Sequence, residues 1–213
     1  MSLRSRRIQY HATSLQREQL QPEPYLQWHH WYDDAVKANI VEPNAMTFAT
    51  AANATPDARI VLVRSVDEAG LVFFTNYDST KSRQLLANPR VAATFGWLDL
   101  HRQVRVRGVA SKVSDQESDD YFASRPRDSQ IGAWASPQST EITDRSVLET
   151  AIVGVEKHFD GQNVTRPPHW GGWRIQPSEW EFWQGQPDRL HDRFLYRRQP
   201  APANGWTITR LAP

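Results

Sequence analysis

His101-Arg-Gln-Val-Arg-Val-Arg-Gly-Val-Ala-Ser-Lys-Val113 alternates: Gln103, Arg105 and Arg107 stand against Val104 and Val106. Successive side chains leave a strand on opposite sides, so this pattern reads as a strand with one wet face and one buried face. A strand of this length needs partners, and the chain on either side supplies them. Val91–Trp97 is a second β-patterned run just before it. Further upstream lie Met46–Ala51, Ala58–Val66 and Leu71–Asn76, with Asp67–Gly70 reading as the hairpin turn between the last two. Downstream lie Gly172–Gln184, His191–Arg198 and Trp206–Leu211.

Helical patterns sit between these runs. Tyr25, Trp28, Trp31, Tyr32 and Ala35 recur at three- and four-residue spacing, giving residues 24–40 one apolar face. Residues 79–88 read as a short helix stopped by Asn88-Pro89. Ser114 opens another, with Asp115 and Glu117 placed to cap it and to oppose the helix dipole. Residues 145–160 form a further helical pattern, and Arg166-Pro167-Pro168 a stiff link. Short strands with helices inserted, and no βαβ alternation, predict an α+β chain, mainly β, built as a barrel or sandwich. No repeat or linker divides the sequence. A mobile arm over residues 1–22 followed by one domain over residues 23–213 is expected.

Composition narrows the chemistry. The 213 residues carry 25 basic and 24 acidic side chains, a balance that argues against wholesale nucleic-acid or membrane binding. There is no cysteine, which removes disulfides, thiolate metal sites and cysteine nucleophiles together. Of the basic residues 21 are Arg and 4 are Lys, a skew suited to bidentate recognition of phosphate and carboxylate, though a GC-rich genome produces it too. No Walker or Rossmann glycine pattern, H-E-x-x-H or G-x-S-x-G occurs, so no metal site is expected. Phosphate recognition here has to be assembled from separate side chains.

Three clusters could do so. Arg189, His191 and Arg193 fall on one face of a predicted strand, where three cationic groups call for an anion opposite; a charged sheet edge explains the same residues. Tyr121 to Gln130 reads as a helix end breaking at Pro126 into a loop that offers Arg125, Arg127, Ser129 and Gln130, donors suited to a phosphate monoester. Arginine capping of a helix C-terminus is the alternative. Arg59 to Arg64 alternates along a strand with one basic end on each face, and charged strand margins account for that equally.

Ser124-Arg-Pro-Arg-Asp-Ser-Gln-Ile-Gly-Ala-Trp134, Glu181-Phe-Trp-Gln-Gly185 and Arg189-Leu-His-Asp-Arg-Phe194 closely resemble the pyridoxine/pyridoxamine 5'-phosphate oxidase family. The resemblance runs from about Arg7 to Pro213. It implies an FMN-binding split β-barrel with peripheral helices, and a homodimer with FMN in clefts at the subunit interface. It also implies oxidation of pyridoxine or pyridoxamine phosphate to pyridoxal phosphate, with O2 as acceptor and hydrogen peroxide as product.

Carried over residue by residue, the resemblance assigns flavin contacts to Arg59, Ile60, Val61, Leu62, Val63 and Arg64. It adds Phe74, Thr75, Lys81, Gln103, Gln138, Ser139, Trp183 and Arg193. Substrate falls to Arg64, Tyr121, Arg125, Ser129, Arg189, Leu190 and His191, with an arm segment from Arg7 to Tyr10. Arg64 stands where the family usually has Lys, keeping the charge on a bulkier, forked group. Thr80 replaces an Arg beside Lys81, and Ile8-Gln9 a basic–acidic pair.

The chemistry so implied is hydride transfer from substrate C4' to flavin N5, with Arg189 over the pyridine ring and His191 on its polar edge as the catalytic pair. Two other readings compete. One is a related oxidase of the phenazine-biosynthesis type; the other is a protein that carries FMN or pyridoxal phosphate without turnover. The first 17 residues hold Arg4, Arg6, Arg7 and Arg17 and superficially fit a transit peptide. Because Arg7 and Tyr10 match the substrate segment, the expectation is an uncleaved, cytoplasmic protein.

Overall fold

The computed structural model describes residues 9–10, 13–201 and 205–213. Its strands are β1 (Ala45–Ala52), β2 (Thr55–Leu62), β3 (Ser65–Asp67), β4 (Gly70–Asn76), β5 (Arg90–Trp97), β6 (Arg102–Lys112), β7 (Trp170–Gln184), β8 (Asp192–Arg198) and β9 (Trp206–Leu211). Its helices are α1 (Pro24–Lys37), α2 (Thr80–Ala87), α3 (Asp115–Ala123), α4 (Arg127–Ala135) and α5 (Ser146–His158). Every strand pairing is antiparallel, and the order is β2-β1-β5-β6-β7-β4-β3, with β8 and β9 continuing from β7.

The alternating strand read from the sequence is β6, and Val104 and Val106 are buried as the pattern requires, while Val109, beyond the bulge, is exposed. It pairs with β5 on one edge and along the length of β7 on the other. At 15 residues β7 is long enough to serve two neighbours in turn. Its first half pairs with β4 and its second half with β8, so the sheet divides there. A register shift at Arg107/Gly108 faces Pro177, which has no N–H to give the ladder. A side chain at Gly108 would collide with the Gln176 carbonyl, so glycine is required at that bulge.

Aromatic residues fill the interior. Trp31, Trp97, Trp180, Phe48, Phe73, Phe95 and Phe182 are fully buried. α1 lies on this core through Trp28, Trp31 and Ala35, and Trp31 meets Phe182 edge-on at 5.3 Å. Pro24 starts α1, where its missing N–H costs nothing. A smaller cluster of Phe122, Ile131, Phe159, Val164 and Trp170 holds α3, α4 and α5 to the sheet. Among the described residues no helix is long and apolar enough to cross a membrane.

Three sequence expectations change. The run Ala58–Val66 is two strands rather than one: β2 ends at Leu62, and the chain crosses at Val63-Arg64 to start β3. Val63 N–H donates to Asn44 and Arg64 N–H to Val72, so adjacent residues bond to opposite ends of the sheet. The turn at Asp67–Gly70 therefore joins β3 to β4, while β2 pairs with β1. Second, the loop expected after Pro126 is α4. The proline that ends one helix is the N-cap of the next, and Asp128 sits in the first turn. Third, Arg189, His191 and Arg193 do not share a strand face. Pro187–Arg189 form a 3-10 turn, Asp188 and Arg189 are left-handed, and β8 begins only at Asp192.

Residues 13–21, which the sequence reading counted with the arm, pack on the sheet. Leu15 is buried, and its N–H and the Ser14 hydroxyl donate to the Asp192 carboxylate. Arg210 pairs with the same carboxylate and donates to the Leu15 carbonyl.

Candidate active site

The crossing at Val63-Arg64 leaves the sheet unpaired between β2 and β3, and a cleft of about 480 Å³ opens beside that gap. Its size is ordinary for a small-molecule site. β2 supplies Ile60, Val61 and Leu62, with Arg64 just beyond; β4 supplies Phe74, Thr75 and Asn76; α2 supplies Lys81. α3 and its end contribute Tyr121 and Arg125, and α4 contributes Ser129, Gly132 and Ala133, followed by Ser136 and Gln138. Trp170 closes the wall from the start of β7.

Cations stand at two places in the cleft. Lys81 Nζ donates to the Thr75 hydroxyl (3.1 Å), the Ser79 hydroxyl (3.2 Å) and Gln138 Oε1 (3.1 Å). These partners are neutral, and burial, with the Arg59 charge nearby, pulls the ammonium down to about 8. Arg125 has a buried Nη1 with no hydrogen-bond partner, and among the described residues no carboxylate pairs with it. Burial also holds this guanidinium below its usual value, with Arg64 adding repulsion. A buried cation without an acid is a costly arrangement that an anionic ligand relieves.

Phe74, Tyr121 and Trp170 form near-parallel rings in the wall, Phe74 and Tyr121 at 3.9 Å and 15°. The cleft thus pairs flat aromatic surfaces with separated phosphate-type donors. Those are the parts FMN needs: a stacking wall, polar side chains and a cation free of acid.

Eleven expected contacts line this cleft: Ile60, Val61, Leu62, Arg64, Phe74, Thr75, Lys81, Tyr121, Arg125, Ser129 and Gln138. Arg59 does not. Its guanidinium is committed to Asp57, to the Thr50 hydroxyl (2.6 Å) and to Gln84 (3.1 Å). Val63 is core, 3% exposed. Ser139 is left-handed and exposed beside Gln138.

The remaining residues form a second cluster on β6, β7 and the turn before β8. Gln103, Trp183 and Arg193 lie side by side across three strands. The Trp183 ring is 4.5 Å from that of His191, and Tyr10 lies 4.2 Å from His101 and 5.9 Å from His191. His191 Nδ1 accepts from the Gln186 N–H at 3.1 Å, which leaves the ring proton on Nε2. Burial, with Arg189 adjacent, holds this imidazole below its usual value. Arg189 and Leu190 are exposed. None of these lines the first cleft, and Arg7 lies outside the described residues.

Sequence reasoning missed Asn76, Gly132, Ala133, Ser136 and Trp170. Ser136 and Gly132 lie in or beside the helix that was read as a loop, so their helical spacing was not used. Trp170, one of nine tryptophans, carried no mark setting it apart from core.

The fold and cleft together define an FMN-binding split β-barrel of the oxidoreductase type. Residues 32–159 match the family profile described as Pyridoxamine 5'-phosphate oxidase, and residues 170–213 match Pyridoxine 5'-phosphate oxidase C-terminal dimerisation region. The chain belongs to the pyridoxamine 5'-phosphate oxidase family. Pyridoxine/pyridoxamine 5'-phosphate oxidases of Burkholderia vietnamiensis and Burkholderia thailandensis are each 52% identical over 208 residues, covering 97% of both chains. Among solved structures, PhzG from Burkholderia lata 383, in complex with tetrahydrophenazine-1-carboxylic acid, superposes with a TM-score of 0.87. It is 29% identical and covers 95% of this chain and 99% of its own. A pyridoxamine 5'-phosphate oxidase-related, FMN binding protein of Nostoc punctiforme shares the fold, with a TM-score of 0.68 at 17% identity; the coverage is 87% of this chain and 97% of that one.

Proposed function

We propose that this chain is a homodimeric oxidase that converts pyridoxine 5'-phosphate and pyridoxamine 5'-phosphate to pyridoxal 5'-phosphate. O2 is the acceptor and H2O2 the product. The observation that carries the reading is Arg125, whose buried Nη1 has no hydrogen-bond partner among the described residues, set with Ser129 and Tyr121 in a cleft that holds a second, separate cation at Lys81. Two cation stations suit two phosphorylated ligands held together.

When bound, FMN supplies the two-electron acceptor that side chains lack. The chain's own residues bind and orient. Lys81, Thr75 and Gln138 hold the cofactor's phosphate, while Arg125, Ser129, Tyr121 and Arg64 hold the substrate's. His191, with its proton on Nε2, donates to the polar edge of the substrate ring, and Arg189 covers the ring face. Fixing the donor carbon in this way removes part of the entropic barrier. Arg189 and His191 lie off the first cleft, so each subunit's pair serves the cleft of the other, with Gln103, Trp183 and Arg193 completing the flavin contacts from that side. The matched dimerisation region, residues 170–213, supports this arrangement. Arg7 and Tyr10 complete the substrate contacts, and this reading takes the working protein, arm included, as cytoplasmic.

PhzG's likeness supports a second reading, a larger ring bearing a carboxylate. Identity of 52% to oxidases named for the vitamin phosphates, against 29% to PhzG, favours the first. The test is to purify the protein, record its flavin absorbance, and follow peroxide release with pyridoxamine 5'-phosphate, pyridoxine 5'-phosphate, their unphosphorylated analogues and tetrahydrophenazine-1-carboxylic acid. Turnover confined to the phosphorylated amine and alcohol is expected. Preference for the phenazine would overturn the assignment, and a yellow protein that consumes no oxygen would make it a carrier.

A further inference from the structure

Arg125 keeps a charge in a half-buried place without an acid, and something on the protein must hold it there. The Arg125 Cζ lies 4.7 Å from the centre of the Trp170 ring and 5.6 Å from that of Phe122. Trp170 and Phe122 meet edge-to-face at 5.2 Å, forming a corner around the guanidinium. The Trp170 backbone is itself fixed. Arg166 donates to the Trp170 carbonyl at 2.7 Å and pairs with Asp115 and Asp119 of α3, the helix that leads to Arg125. One arginine thereby ties the start of β7 to α3. A π face attracts a cation without neutralising it, whereas a carboxylate would fill the donors a ligand needs.

We propose that Trp170 is a positioning residue for phosphate recognition: its ring face holds Arg125 in the cleft and leaves the guanidinium donors free for the substrate's phosphate. The inference rests on the reading of Arg125 as the phosphate-holding residue and goes beyond it. It makes the aromatic corner, rather than an ion pair, the source of the preference for phosphorylated over unphosphorylated ligand.

The test compares pyridoxal 5'-phosphate with pyridoxal as ligands of the FMN-loaded protein. Trp170→Met keeps an apolar bulk without a π face. It is expected to weaken the phosphorylated ligand by about tenfold and leave pyridoxal within about twofold. Trp170→Phe keeps a smaller π face and is expected to lose about threefold. No loss in Trp170→Met, or equal loss for both ligands, overturns the proposal, since mere loosening of the cleft affects both alike. If Trp170→Met does not fold, Trp170→Phe carries the test in combination with Arg125→Gln. Its loss must vanish once Arg125 is gone, and either no loss alone or an undiminished loss in the double variant overturns the proposal. Arg125→Gln by itself separates the two failures. If it leaves phosphate preference intact, the reading of Arg125 is at fault; if it abolishes that preference while Trp170→Met does not, only Trp170 is.

Discussion

Arg125 and Lys81 solve one electrostatic problem differently. Each is a cation withdrawn from water without an acid, but Arg125 stays charged while Lys81 titrates near 8. Removing the Arg125 donors deletes charge-assisted bonds, so Arg125→Gln should raise KM for pyridoxamine 5'-phosphate by about 10- to 100-fold, with FMN content unchanged. Steady-state peroxide assays check this, and an unchanged KM would count against it. Lys81 gives a pH dependence. Its lowered value means the empty site loses the ammonium as pH rises through about 8, while a bound phosphate favours the protonated form. FMN binding therefore takes up a proton above that pH, and affinity should fall from pH 7.5 to 9.5. Flavin fluorescence titrations read it directly; a flat profile would be inconsistent with Lys81 at the phosphate. At this scale the sequence displayed the donors but not their commitments. Nothing in the Arg59–Arg64 alternation shows that Arg59 is spent on Asp57, Thr50 and Gln84 while Arg64 lines the cleft, because those partners lie up to 25 residues away.

At the scale of elements, local pattern and final structure agree where one face of an element is buried along its length. β6 and α1 were legible for that reason: alternation and helical spacing survive when one side meets the core. Legibility failed where the chain changes direction inside, or at the start of, a run that reads as one strand. Val63-Arg64 and Asp188-Arg189 are such corners, the latter in left-handed backbone that ordinary residues seldom adopt. Pro126 misled for another reason: proline ends one helix and starts the next with equal ease. The bulge opposite Pro177 yields a prediction of its own. Gly108→Ala forces a side chain into the Gln176 carbonyl and should cost about 1–3 kcal/mol of stability, seen as a lower urea midpoint. A midpoint within error of the parent would show that β7 relaxes freely there.

At the scale of the whole molecule, the two clusters of expected site residues stand apart in one chain, and symmetry offers a way to join them. In a two-fold dimer each cleft would draw Arg125 from one subunit and Arg189 from the other. Assayed at substrate well below the raised KM, Arg125→Gln and Arg189→Gln proteins should each be nearly inactive, yet activity should return when they are mixed and allowed to exchange subunits. Random pairing makes half the dimers mixed, each with one intact cleft, so about a quarter of parental turnover is expected. No recovery, with exchange confirmed by a tagged subunit, would place both residues in one chain's cleft. The sequence could not show this division. Strand pattern reveals which faces are buried but not that β7 splits its pairing between β4 and β8.

The bracket that Asp192 and Arg210 place on Leu15 links residues 14–15 to the strand β9 near the other end of the polypeptide. Asp192 directly follows His191, so whatever disturbs that grip is felt beside the proposed proton donor. Clipping the final four residues would free the opposite terminus as well. A purification handle fused after Pro213 would follow closely on the Arg210 contact with Leu15, which makes the tail a poor site for one.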